Sequence, residues 1–496
     1  MEIADDMGTR PRKSSKPRWA GLTAALLMLS GCNVGQDDGP IEVDVIGQAE
    51  QAANPLRDSN PPAAKAVLGA TAQGLLSYDA RGEVVDALAE SWIVADEGQS
   101  YIFRLKRLTW PNGETVKAEE VARLLRERMR ANPLSMAGLK PDVRAMTDRV
   151  IEIRLRAALP AFLQLLAQPQ FGILTRAGGT GPFRQARYGD VLMLTPVPRS
   201  TVPVEEQEVV AGEQRALRAS RASLALVRFK QGDADLVIGG RFPHLPLIGA
   251  VGIEANAVRV DPVAGLLGLG ITGTSDFLDD VSVRDALARV IDRAALAETW
   301  NVQGWRTAEY PLPAPLGINR QPSAPAWTGR PITERIESAR DVIARWRAAN
   351  GEPPMLRIAL PEGPGASLLF IRLAQDFGQL GLRVDRVAQR ERADLVLIDE
   401  VAPFDSALWY LSRLDCAAGL RCDPEASALL AEARQAGDPA IQAERLTEAE
   451  GRVVAHVGYI PLGQPIRWAL ADRRLTGLQL SPRGIHPLNR LIAIPN

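Results

Sequence analysis

Two hydrophobic periods alternate along this chain, and that alternation limits what it can fold into. "IEVDVIG", Ile41 to Gly47, sets Ile41, Val43 and Val45 against Glu42 and Asp44, the two-residue repeat of a strand. "YIFRLKR" repeats the pattern, with Tyr101, Phe103 and Leu105 on one face and Ile102, Arg104 and Lys106 on the other. Pro111-Asn112-Gly113 turns the chain, and "KAEEVARLLRERM" then places Val121, Leu124, Leu125 and Met129 on one helical face. Farther on, Ser282 is expected to N-cap a helix, with Asp285 at its third position and Val283, Ala286, Leu287, Val290 and Ile291 as its buried stripe. Thr333 is expected to cap another helix that ends near Asn350-Gly351. Strands in "LRIAL", "RVDRV" and "DLVLID", and a helix from about Ser367 to Leu380, continue the series. Helices alternating with short strands specify an α/β protein rather than a bundle or a sandwich. The Pro-rich run Pro311 to Pro331 reads as a wrapping surface loop, and there is no internal repeat.

The N-terminus has a different character. Arg10, Arg12, Lys13, Lys16 and Arg18 precede an apolar run from Ala20 to Leu29. That run is shorter than the ~20 residues a membrane span needs, and it suits a secretory signal. Leu29-Ser30-Gly31-Cys32 resembles a bacterial lipobox, in which small residues admit a signal peptidase and the cysteine thiol receives lipid. The competing reading is a buried N-terminal helix with an incidental cysteine. On the lipoprotein reading, residues 1–31 are a signal peptide and 32–40 a polar tether. The protein is then held at a membrane through Cys32, in the periplasmic cell envelope. About 465 residues remain, enough for roughly three domains' worth of core.

Charge and cysteines narrow the partners. A formal net charge of −1, with 24% charged residues, gives no electrostatic case for nucleic acid. Cys416 and Cys422 form an even pair, which in an oxidising compartment reads as a small disulfide loop; two free thiols are the alternative. No nucleophile elbow, phosphate-binding loop, dinucleotide fingerprint or HExxH is present. His244, His456 and His486 match no metal-ligand spacing, and Asp279-Asp280 is better explained as negative charge at a helix start than as an acid–base pair. No catalytic residue, metal or cofactor is expected.

From Gly74 to Val121 the residues become specific. Leu75 to Asp79, Gly82 to Trp92 ("GEVVDALAESW"), Glu97 to Leu105, Trp110 to Gly113 and Ala118 to Val121 follow one another in the order of a known signature. "GGTGPFR", "LALVRFKQGDADLVIG", "FLDDVSVRDALARVIDRAAL" and "YIPLG" continue it. In these blocks the chain resembles the bacterial extracellular solute-binding proteins of family 5, the oligopeptide-, dipeptide- and nickel-type receptors of ABC importers. One departure is Lys117, where the family has Ser or Thr as an N-cap; losing that cap costs ~1 kcal/mol.

The resemblance implies a two-lobed periplasmic-binding-protein-like fold (type II, cluster C) with an extra α/β domain inserted in lobe I. The implied ranges are 41–60, 175–260 and 464–496 for lobe I, 61–174 for the extra domain and 261–463 for lobe II. It further implies a monomer that closes on a peptide or other small solute and is read by ABC importer permease subunits. Use of the same fold as a sensor or envelope adaptor is a second reading, and an envelope hydrolase a third. Peptide receptors of this family capture the α-amino group with an acid in a D-Y-x-D-P-like segment. "LIDEVAPFDSALWYL" occupies that place, with Asp405 matching the later acid and Glu400 an alternative for the earlier one. Trp409 and Tyr410 are candidates for a side-chain pocket, Trp300 and Trp305 for a cleft wall, and Asn54 and Arg57 for contacts to a peptide backbone or carboxylate.

Overall fold

The strand Ile41–Ile46 forms where its two-residue repeat places it, but its surroundings change what the repeat means. A computed structural model describes residues 39–198 and 211–494; the expected signal peptide, Cys32 and most of the expected tether lie outside the described residues. Ile41–Ile46 is central in a seven-stranded sheet, parallel to Arg215–Ser220 on one side and Leu236–Arg241 on the other. With both faces covered, Asp44 is 1% exposed rather than facing water. It accepts hydrogen bonds from Arg228 Nε at 2.8 Å and Ser220 Oγ at 3.3 Å, as a buried carboxylate must.

A second sheet of five strands runs in the order Val384–Ala388, Leu356–Leu360, Leu395–Val401, Gly265–Ile271, Tyr459–Gly463. The chain passes between the two sheets at 261–264 and again at 464–466, because Val258–Val260 and Arg467–Ala471 belong to the seven-stranded sheet. Gly265 N–H donates to Gln464 Oε1 at 2.9 Å and Asp261 N–H to the Arg467 carbonyl at 2.9 Å, so the two crossings are laced together. Paired crossovers of this kind leave each sheet rigid and concentrate bending between them.

The third unit is a four-stranded antiparallel sheet, Ala89–Ala95, Ser100–Leu105, Val150–Arg154 and Asp142–Thr147 in spatial order. The helix Ala118–Ala131 buries Val121, Leu125 and Met129 in the same core as Tyr101, Phe103 and Ile151. Its N-cap is Lys117, with no side-chain capping bond.

Helix starts are where local reading failed. Asp280, not Ser282, caps Val281–Val290: its carboxylate accepts from Ser282 N–H at 2.8 Å, and Asp285 instead accepts from Trp327 Nε1. A carboxylate is as good an N-cap as a hydroxyl, and the chain enters the helix two residues earlier. Ile332–Asn350 begins after Pro331, which leaves Thr333 inside the helix. Pro364–Gly378 likewise starts at a proline, three residues before Ser367.

Cys416 and Cys422 are joined by a disulfide. In the "TGP" turn, Gly181 runs so close to the end of the helix Pro62–Thr71 that a Cβ would lie 2.3 Å from the Thr71 carbonyl carbon. Close approach, not turn geometry, requires glycine there. Among the described residues, no helix is long and apolar enough to cross a membrane.

Candidate functional site

Strand ends supply the site. Ile46 at the end of its strand, Ile238 to Arg241 and Asp399 to Val401 all reach the carboxyl edges of their sheets, where α/β proteins place ligands. There they bound a cavity of about 1030 Å³, above the ~300–1,000 Å³ usual for small-molecule pockets. The helix Pro62–Thr71 lays one face along it through Pro62, Lys65, Ala66 and Gly69, spaced as a helical face requires. Tyr78, Gln168 and Gln170 come from the 61–174 segment, and Trp468 lies against Gly240. A Cβ on Gly240 would fall 2.2 Å from the Trp468 indole, so only glycine leaves that ring its place.

Charged groups line the inner end, and nearly all of them are already paired. Asp399 lies between two arginines: Arg241 Nη2 donates to Oδ2 at 2.7 Å and Arg467 Nη1 to Oδ1 at 2.8 Å. Burial pushes the Asp399 carboxyl up, but the two guanidiniums outweigh that and hold it below the usual carboxylate range. Asp261 accepts from Ser481 N–H at 2.9 Å and faces His486 Nε2 at 3.1 Å. His244 is half-buried beside these groups; desolvation and then the Arg241 charge bring its pKa down to about 4, so it is neutral at physiological pH.

The sequence candidates divide sharply. Glu400 and Trp409 line the cavity. Glu400, however, is held by Arg413 through bonds of 2.7 and 2.6 Å, the fork geometry that fills both carboxylate oxygens. Asp405 is not among the lining residues; it binds Arg483 Nη2 at 2.5 Å. Tyr410 stacks edge-on against Trp409 with ring centroids 4.9 Å apart and is buried. Trp300 and Trp305 sit elsewhere too. Trp300 packs on Phe242, and Trp305 donates to the Gln464 carbonyl at 2.7 Å, bracing a crossing between the sheets. Asn54 and Arg57 both turn to Glu50 on the outside of the helix Ala49–Ala53; it is Asp58 and Asn60 of the same loop that reach the cavity. Asp399, Arg241, Arg467 and Lys65 were missed by the sequence reading. Asp399 directly precedes Glu400, and the first position of the acidic segment was the signal that could have found it.

A two-sheet protein with two laced crossings and a deep cleft between them is a binding protein of the bilobal class. The model for bacterial extracellular solute-binding proteins, family 5, matches residues 83–394, and the chain belongs to that family. The nickel-binding periplasmic protein of Escherichia coli (strain K12) is 35% identical over 358 residues, 64% of this chain and 65% of that protein, so the match spans just under two thirds of that relative. The glutathione-binding protein GsiB of E. coli O6:K15:H31 is 23% identical over 478 residues, covering 86% of this chain and 89% of that one. The crystal structure of Haemophilus influenzae OppA in complex with RPPGFSPFR superposes with a TM-score of 0.75 at 18% identity, over 93% of this chain and 100% of that one. That likeness establishes the fold, a two-lobed periplasmic binding protein.

Proposed function

We propose that this protein is a lipid-anchored receptor that captures a peptide or peptide-like solute in the cleft and delivers it to an ABC importer. The observation that carries the reading is the cavity of about 1030 Å³, walled by both large sheets and by the 61–174 segment. A guest there touches both lobes only when they are closed, so it stabilises the closed form by its differential contacts. An importer that recognises the closed form then reads occupancy. Lobe I is taken as 41–60, 175–260 and 464–496, the extra domain as 61–174 and lobe II as 261–463. Attachment through Cys32 keeps the receptor near its permease and raises its effective concentration there. The names of the relatives, which cover nickel, glutathione and oligopeptide binders, support a small-solute guest without choosing one.

The test is thermal denaturation against libraries of di- to pentapeptides, followed by small-angle scattering on any hit. A guest at one hundred times its Kd stabilises by about 2.7 kcal/mol and contracts the scattering envelope. Melting that no solute raises, in peptide, opine, glycoside and metal-chelate libraries alike, would rule the reading out. Mass spectrometry of the envelope-extracted protein checks for lipid on Cys32.

A further inference from the structure

The buried acids in and beside the cleft are all engaged by protein groups. Asp399 is divided between Arg241 and Arg467, and Glu400 is forked by Arg413. Asp405 is held by Arg483, and Asp261 is engaged by Ser481 N–H and His486. Asp58 and Glu362 line only the exposed mouth, where Arg221 is exposed as well.

The positive side of the balance is different. Lys65 points from the cavity face of the helix Pro62–Thr71, is half-buried, and makes no hydrogen bond or ion pair among the described residues. Arg241 uses Nε and Nη2 on Asp399, and its Nη1 has no partner among the described residues. Arg241 and Arg467 share Asp399 as their one ion-pair partner among the described residues, and Lys65, with none, feels Glu400 and Asp58 only at longer range. A desolvated, unpaired ammonium is unfavourable to folding; its pKa falls to about 8, first from burial and then from Arg467. A ligand anion would relieve that cost.

Buried polar atoms add to the asymmetry. Gln170, 1% exposed, has no partner for Oε1, and His486 Nδ1 is also unpartnered; both residues line the same cavity. Unmet buried acceptors suit N–H donors of a guest.

Resting on the capture function proposed above, we infer that the guest is recognised through a carboxylate, seated between Lys65 and the free edge of Arg241, and not through an α-amino group. A peptide with its C-terminus inward and a non-peptide carboxylic acid share this chemistry.

Full-length wild-type protein and the variants Lys65→Gln and Lys65→Arg are titrated at pH 7 by calorimetry and thermal shift with three probe sets. One is a pool of N-acetylated di- to tetrapeptides with free C-termini. The second has the same sequences with free N-termini and C-terminal amides. The third contains succinate, citrate and other non-peptide carboxylates. Stabilisation by the first or third set but not the second is expected, and which of the two works identifies the carboxylate source. Lys65→Gln should lose about tenfold in affinity or more, the worth of a charged hydrogen bond, while Lys65→Arg keeps most of it. Unliganded Lys65→Gln should melt no lower than wild type, which separates lost binding from lost folding. Stabilisation by the amidated pool, or equal affinity of wild type and Lys65→Gln, overturns the inference and leaves capture standing. Silence from all three sets overturns the inference, and silence that extends to the opine, glycoside and metal-chelate libraries overturns capture as well.

Discussion

Two desolvated cations, Arg293 and Lys65, show how differently one chain can treat a buried positive charge. Arg293 is 3% exposed and wholly answered by protein: Nη2 donates to the Pro461 carbonyl at 2.7 Å, Nε to the Ala308 carbonyl at 2.9 Å and Nη1 to the Ala288 carbonyl at 3.1 Å. Its guanidinium also lies over the Trp327 ring, 5.3 Å from the centroid. Burial lowers its pKa to about 10, still far above neutrality, so it stays charged. Lys65 is only half-buried, yet the described residues supply it no acceptor. A buried charge whose donors are all satisfied is scaffold. One left unanswered at the wall of a large cavity is where a ligand's opposite charge belongs.

The sharpest way to break this contrast is to remove Arg293. Arg293→Met leaves several buried carbonyls without donors at about 1–3 kcal/mol each. A loss of about 3 kcal/mol or more in urea unfolding is expected, with ligand preference unchanged in whatever folds; a stability within error of wild type would remove the scaffold half of the comparison. Next comes Asp399→Asn, which removes the carboxylate that Arg241 and Arg467 share and should cost about 3 kcal/mol, as breaking a buried pair does. Its pH signature has a definite sign. The folded Asp399 pKa is depressed, so its contribution is present above the ordinary unfolded carboxylate value and is lost as pH falls through the folded one. The wild-type advantage over Asp399→Asn should therefore hold above about pH 4 and fade below it.

Smaller effects sharpen the picture. Lys117→Ser, remote from both cations, supplies the missing cap of Ala118–Ala131 and should stabilise by about 1 kcal/mol without altering binding. Lys65→Gln should raise unliganded stability at neutral pH, where the cost of the desolvated ammonium is fully present, and that gain should shrink as pH rises. The folded Lys65 pKa of about 8 lies below the ordinary 10.5, so the unfolded chain holds more protons between those values. Wild-type stability thus gains with rising pH over that window relative to Lys65→Gln. Carboxylate affinity moves oppositely, falling above about pH 8 as the ammonium loses its proton in the field of Arg467, Glu400, Asp58 and Arg241. A flat affinity from pH 7 to 10, measured calorimetrically, contradicts the assignment of Lys65.

How much of this was legible beforehand follows from the range of each interaction. The strands Ile41–Ile46 and Ser100–Leu105, the Pro111-Asn112-Gly113 turn and the face of Ala118–Ala131 are set by neighbours a few residues apart, and the sequence shows them directly. The ordered signature blocks carried the family, and with it the two-lobed fold. The cap at Asp280 was misplaced because Asp and Ser compete for that role on equal physical terms. Of the site candidates, Glu400 and Trp409 reach the cavity; Asp405 pairs with Arg483, Asn54 and Arg57 with Glu50, and Trp305 with the Gln464 carbonyl, while Tyr410 and Trp300 pack against other aromatic rings.

By itself, then, the sequence determined the alternation of helix and strand, the membership of the chain in its family, and the near-neutral charge that gives no footing for nucleic acid. Only the tertiary structure decided which charges cancel. Arg241 and Asp399 meet across 158 positions and Arg467 and Asp399 across 68. Coulomb attraction depends on distance in space and on the local dielectric, neither of which spacing along a chain reports. The lysine left over when that cancellation is complete is visible only once the sheets have brought the rest together.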